Sequence, residues 1–469
     1  MTAFWKPELL DLVFGPDSSG KTPEERARTS KVMFVRSQMQ LAQDSPQATG
    51  RRMTAYEALK AYGTDALIEV AERGRFLLVS NRNEPATSIR AQMDALGIAK
   101  KSLAKTLGMR EAEIAQIDVP GKLSSARVLD RIAAALAMDE QFLGMDRAEK
   151  ADADLGVRFK TLSAIGQPNR SLSPTVMATL LDAAWVVRKQ SELSADLGLL
   201  SFGGLRFDPS SDYSSPAYSV GYRLAVKTRQ IMGLTEGEPI QSMRQLLEKK
   251  LNIPVVEANL GMKIAGATIA NGRARGIVAN TSGDNENPWV RRMTLAHELA
   301  HLLWDPEQRL QRLVVDNYSD LGRRPEDDID PVEMRANAFA VDFLAPHAAV
   351  RRIANAHKFA WSGVVALSET YGISRTAAKF HMQNVCKRLI DDDGSQPEIS
   401  DDWKAREDRG NAFFPITETG ETRRGRFAWV VVSALQDNLI SEDTAAEYLQ
   451  KDSGKLSDQE RTYIKEIAS

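Results

Sequence analysis

Cysteine is nearly absent. One residue, Cys386, in 469 excludes a disulfide framework and a zinc held by several thiolates, and it fits a reducing compartment. Long apolar runs are missing too, since no stretch reaches the roughly 18 residues a membrane-spanning helix needs. The first residues, Met1-Thr2-Ala3-Phe4-Trp5-Lys6-Pro7-Glu8, lack a basic stretch followed by an apolar core, so no signal peptide is expected. Nor does one sign of charge dominate. With 61 Lys and Arg against 63 Asp and Glu, any nucleic-acid surface must be a local patch. These absences predict a soluble cytoplasmic protein without a membrane partner, long enough for two to four domains that each bury a core.

Histidine is scarce as well, yet two of the five stand four residues apart in His297-Glu298-Leu299-Ala300-His301. Their flanks, Met293 to Trp304, are apolar at helical spacing. Asn287 and Pro288 suit a helix start, and Asp305-Pro306 suits a stop. On such a helix both imidazoles lie on one face and can reach one ion, while Glu298 can contact a water beside it. A helix apolar nearly all round is internal, and polar groups there are costly unless a metal or close partners satisfy them. The pattern predicts a metal on His297 and His301, with a third ligand from elsewhere and one open position.

Ahead of this helix stand three strand candidates, Pro254–Ala258, Lys263–Ala270 and Ala274–Asn280. Asn271-Gly272 between the last two is a hairpin signal. An edge strand in this place commonly pairs with substrate backbone in zinc peptidases. Behind the helix, Asp330-Pro331-Val332-Glu333 opens another helical pattern. Spacing alone supports equally a capping box formed by Asp330 and Glu333 or a metal role for Glu333. Asn337, one turn on, is placed to orient a bound imidazole. The third His of a metzincin is replaced by Glu307, and Trp304 stands where that motif has Gly.

Thr294 to Leu303, with the hairpin and Glu333-x-x-Ala336-Asn337-x-Phe339-Ala340-x-x-Phe343-Leu344-Ala345-Pro346, resembles the ImmA/IrrE metallopeptidase family over roughly 217–390. The resemblance implies a gluzincin-type site in which Glu333 is the third ligand and Glu298 the catalytic base. It also implies limited cleavage of a repressor or antitoxin-like protein, in prophage or mobile-element induction, defence or the DNA-damage response. Zn²⁺ is the expected cofactor, and a His/His/Glu site also suits Mn²⁺. Ala300 departs from the family's usual Gly. The charged stretch Arg323–Asp330 is expected to border the cleft and gate it. His347 is the nearest candidate for a donor to the oxyanion, with Tyr318 and Tyr371 behind it.

Between 86 and 145, Leu103-Ala104-x-x-Leu107-Gly108, Ile114, Asp118, Gly121 and Leu129-x-x-Ile132-Ala133 resemble the lambda-repressor/Cro-like helix-turn-helix family. Here eight Lys/Arg (90, 100, 101, 105, 110, 122, 127, 131) face seven Asp/Glu (94, 111, 113, 118, 130, 139, 140). That balance is weak for phosphate neutralisation, and leaves open DNA binding, a homodimer contact or a hold on a protein partner.

The expected fold is α+β and mostly helical, a zincin-like peptidase domain with a small antiparallel sheet plus an all-α helix-turn-helix domain. The expected divisions are a helical region 1–85 built on Ala27–Leu41 and Thr54–Arg73, the Cro-like domain 86–145 and a connector 146–215. The peptidase domain 216–390 and a polar linker with terminal helices, 391–469, complete the chain. The competing function is a DNA-binding transcriptional regulator whose peptidase-like domain is a sensor or a structural metal site.

Overall fold

The computed structural model describes residues 5–79, 81, 83–117, 119–122, 124–141, 143, 145, 173–199, 216–235, 237–271, 274–305, 314–317, 330–407 and 419–450. The chain forms two compact units, Met1–Leu199 with Ile416–Ser469, and Leu200–Pro415.

The first unit is less helical at its start than the sequence predicts. Pro23–Thr29 is helical behind a Thr22–Glu25 capping box, but Ser30 takes extended backbone and its hydroxyl donates to the Phe14 carbonyl. The expected helix Ala27–Leu41 therefore gives way to strands β1 (Met33–Arg36) and β2 (Gln40–Gln43). With β3 (Arg51–Thr54) and β4 (Arg75–Leu77) they form an antiparallel sheet of order β3-β1-β2-β4. Phe34 and Val35 are β-favouring and buried, and β1 finds ladder partners on both sides, which a lone helix turn would not supply. The helix expected from Thr54 runs Ala55–Arg73, capped by Thr54 and Glu57.

Helices Ala86–Leu96, Lys100–Leu107, Glu111–Ile117 and Ala126–Ala135 follow in the expected order, the first two closed by left-handed Gly97 and Gly108. They share a unit with the sheet. Asp130 on the last of them is buried between Arg36 (2.9 Å) and Arg51 (3.1 Å) from β1 and β3. Breaking such a buried set would leave unpaired charges, so 1–85 and 86–145 are tied at their centre.

In the second unit the sheet order is β5-β7-β6-β8, with β5 Val255–Ala258, β6 Ile264–Asn271, β7 Ala274–Asn280 and β8 Val314–Asn317. The hairpin β6–β7 has the expected place, with Asn271 opposite Ala274. The sheet is mixed rather than wholly antiparallel, because β5 runs parallel to β7. Asn280 organises the crossover: its amide donates to the Gly261 and Ile264 carbonyls (2.6 Å each) and its Oδ1 accepts from Leu260 N (2.8 Å). Strand β8 has no counterpart among the expected strands, and it covers the outer edge of β6.

One helix packs against this sheet, and a second packs against the first. Pro288–Trp304 is capped by Asn287, and Pro331–Leu344 by Asp330, whose carboxylate accepts from Val332 N at 2.9 Å. Leu295, Leu299, Leu302, Phe339 and Phe343 fill the core between them. Helix Ala217–Ile231 packs on the second. A Cβ at Gly221 would come within 2.3 Å of the Arg335 carbonyl, so only glycine permits that approach. Three further helices, His347–Ala356, Trp361–Tyr371 and Arg375–Cys386, follow.

Residues 391–407 belong to this unit instead of to a free linker. Trp403 is buried and donates to the Glu369 carbonyl (2.8 Å), and Glu407 pairs with fully buried Arg292 and accepts from Met243 N. The described residues from 419 onward belong to the first unit, so the expected segment 391–469 is divided between the two.

Candidate metal centre

His297 and His301 stack one turn apart on Pro288–Trp304, both about 1% exposed or less. Their Nε2 atoms lie 3.0 Å apart. Glu333 reaches across from Pro331–Leu344, with Oε2 3.3 Å from His297 Nε2 and 3.5 Å from His301 Nε2. Asp330 caps that helix through Val332 N, and the Glu333 carboxylate turns to the imidazoles.

The far side of each ring is held. His297 Nδ1–H donates to Asn337 Oδ1 at 2.9 Å, and His301 Nδ1–H donates to Asp305 Oδ2 at 2.9 Å. Arg335 pairs with the other oxygen of Asp305. With both Nδ1 atoms donating, both Nε2 lone pairs aim at one point beside a carboxylate oxygen. Two lone pairs 3.0 Å apart repel unless something positive lies between them, so the donor set fits a divalent cation. The electrostatics agree. Burial opposes a charge on His301, but the Asp305 and Glu333 carboxylates outweigh it and raise its pKa well above the imidazole range. Burial also opposes a charge on Glu333, and hydrogen bonding to the two imidazoles reverses it, pulling the pKa far below the carboxylate range. A field that favours positive charge on the rings favours a metal ion between them.

Glu298 lies on the sheet side of the same helix. Thr268 Oγ1 of β6 donates to its Oε2 at 2.6 Å. The strand can come this close because residue 266 is glycine: a Cβ there would meet Thr294 Cγ2 at 2.8 Å and Glu298 Oε1 at 2.9 Å.

The structure thus brings together His297, Glu298, His301, Glu333 and Asn337. His347 is placed elsewhere. Its partners are Asp342 and the rings of Tyr222 and His381, and Asp342 stands nine residues beyond Glu333, roughly 14 Å along the helix. Tyr371 is fully buried and donates to the Gly237 carbonyl (2.6 Å). Tyr318 and the Arg323–Ile329 part of the charged stretch fall outside the described residues.

Residues 249–382 match the family model of the IrrE N-terminal-like domain, Peptidase_M78. The match spans the sheet, the helices that carry His297, His301 and Glu333 and most of the helices after them, and makes this part of the chain similar to a peptidase domain. Residues 86–145 lie outside it. A comparison with curated proteins finds no match. Among the described residues, no helix is long and apolar enough to cross a membrane.

Three residues escaped the sequence reading. Asp305 looked like a helix stop, although its spacing of four from His301 was a usable signal. Thr268 and Arg335 act through tertiary approach, which no spacing along the chain announces.

Proposed function

We propose that the Leu200–Pro415 unit is a metal-dependent endopeptidase of the gluzincin type. His297, His301 and Glu333 hold the ion, zinc by donor set with manganese as the substitute, and Glu298 shuttles the proton. The observation that carries this reading is the convergence of two Nε2 atoms and Glu333 Oε2 within 3.0–3.5 Å, next to a carboxylate tethered by Thr268. A bound zinc supplies Lewis-acid polarisation of the scissile carbonyl and makes water a better nucleophile near neutral pH. The chain's own groups do the rest. Glu298 takes the proton of the attacking water as its oxygen bonds to the carbonyl carbon, then gives that proton to the amine nitrogen as the C–N bond breaks. Thr268 keeps one oxygen of Glu298 fixed, and Asn337 and Asp305 keep the rings from turning.

An extended substrate would take over the place of β8 on the outer edge of β6, the strand that touches Glu298 through Gly266 and Thr268. The substrate class favoured is a repressor or antitoxin-like protein, and the helices of 86–135 are the arm that would hold a partner. Arg110, at the start of the would-be reading helix, is paired to Glu113 (2.9 Å), which favours a protein partner over DNA.

The test is co-expression with helix-turn-helix regulators encoded nearby. The wild-type chain should shorten one of them, while Glu298→Gln should bind the same metal and leave it whole. Cleavage by Glu298→Gln would overturn the assignment of the base. An electrophoretic shift on DNA that a chelator does not alter, with no cleavage of any regulator, would favour the transcriptional-regulator reading.

A further inference from the structure

A second donor set starts nine residues beyond Glu333 on the same helix, built from residues the proposed reaction does not use. Asp342 is near the end of helix Pro331–Leu344, His347 opens His347–Ala356, and His381 lies in Arg375–Cys386. One ligand atom from each lies within 4.8 Å of the others. Asp342 and His381 are each 1% exposed, and the His347 side chain keeps 30%, which gives an ion a way in.

Part of this cluster has an ordinary explanation. Asp342 Oδ1 accepts from His347 N at 2.9 Å and pairs with the same residue's ring, as a helix cap would. His381 Nε2–H donates to the Ala345 carbonyl at 2.8 Å. What remains is not explained by capping. Asp342 Oδ2 and His381 Nδ1 are buried without a hydrogen-bond partner, and a buried carboxylate oxygen left so is costly. His381 Nε2 also lies 3.6 Å from Asp342 Oδ1, so this ring nitrogen faces the carboxylate and an ion there would replace its contact with the Ala345 carbonyl. The Tyr222 ring closes one side, 4.5 Å from the His347 ring and 5.9 Å from that of His381.

We propose that Asp342, His347 and His381 bind a second divalent ion, zinc by the set of two imidazoles and one carboxylate, which fastens the last turn of the carboxylate helix to the two helices after it. This inference does not rest on the peptidase reading, because the first site can be removed and the second still tested.

The experiment uses the full chain carrying His297→Ala and His301→Ala, loaded with Zn²⁺ or Co²⁺ and dialysed. One ion per chain should remain, the cobalt form should show visible absorption of a low-coordinate site, and Zn²⁺ should raise the melting temperature. Adding Asp342→Asn or His381→Gln should abolish all three signals. Should either fail to fold, His347→Ala, at the exposed ligand, should weaken Co²⁺ binding at least about tenfold. No bound ion in the His297/His301 variant, or an ion retained after both Asp342 and His381 are replaced, would overturn the proposal.

Discussion

Asn337 Oδ1 stands 2.9 Å from His297 Nδ1, on the same helix face that carries Glu333 one turn earlier. One helix therefore supplies both the carboxylate beside the two imidazoles and the acceptor that holds one of those rings. Replacing Asn337 by Ala frees the ring to rotate and removes the fixed tautomer. Zinc affinity should fall by about 10- to 100-fold, read by competition with a chromogenic chelator, while the fold is kept. Unchanged affinity would show that His297 is oriented by packing alone.

Thr268 gives a complementary test, because it touches the base and no ligand. Thr268→Val removes the hydroxyl that donates to Glu298 Oε2 and keeps the volume. A hydrogen bond to a charged group is worth about 1.5–3 kcal/mol, so kcat should drop roughly ten- to hundredfold with metal content unchanged. A loss of metal instead would place Thr268 in the wrong role.

Strand β8 covers the edge that an extended substrate needs. Val315 is opposite Ala267 in the register, and Val315→Pro would remove a backbone donor and disfavour strand pairing there. Cleavage of the cognate protein should quicken, with faster amide exchange in β6. Slower cleavage would mean that β8 forms part of the substrate platform.

The first unit carries its own pH signature. Glu140 is buried, where desolvation alone would raise its pKa. Lys189, 3.1 Å away, outweighs burial with help from Arg51 and Arg188 and holds it at about 2. Trp185 Nε1 and the Tyr448 hydroxyl both donate to it, at 3.1 and 2.8 Å. A folded pKa below the unfolded value near 4.5 contributes stability that is complete above 4.5 and lost as pH falls toward 2. The contribution is up to about 3 kcal/mol. Glu140→Gln should lower urea stability at pH 7, and the gap from wild type should close between pH 4.5 and 2. A gap that stays constant with pH would contradict the charge assignment.

Much of the site was legible because its chemistry repeats at helical spacing. His297 and His301, Glu333 and Asn337 are each four apart, so a helix places each pair on one face before any tertiary structure is known. The hairpin was legible from Asn271-Gly272. What spacing could not show depended on contacts between distant segments. Residues 33–43 alternate too little to separate a strand from a helix, and the neighbours in β3 and β4 decide the matter. Strand β8 has too few residues to announce itself, and it exists because β6 offers an edge. His347 is close to the site in sequence, but about two and a half helical turns separate Glu333 from Asp342, the partner of His347, so proximity in sequence misleads.

The central claim is a single ion gripped by two imidazoles and one carboxylate. Crystals of the zinc-loaded chain, measured for anomalous scattering at the zinc edge, test it most directly. The account expects a peak about 2.0–2.2 Å from His297 Nε2, His301 Nε2 and a Glu333 oxygen. A zinc-loaded crystal with no peak at that point, or one in which Glu333 turns away from the imidazoles, would contradict it.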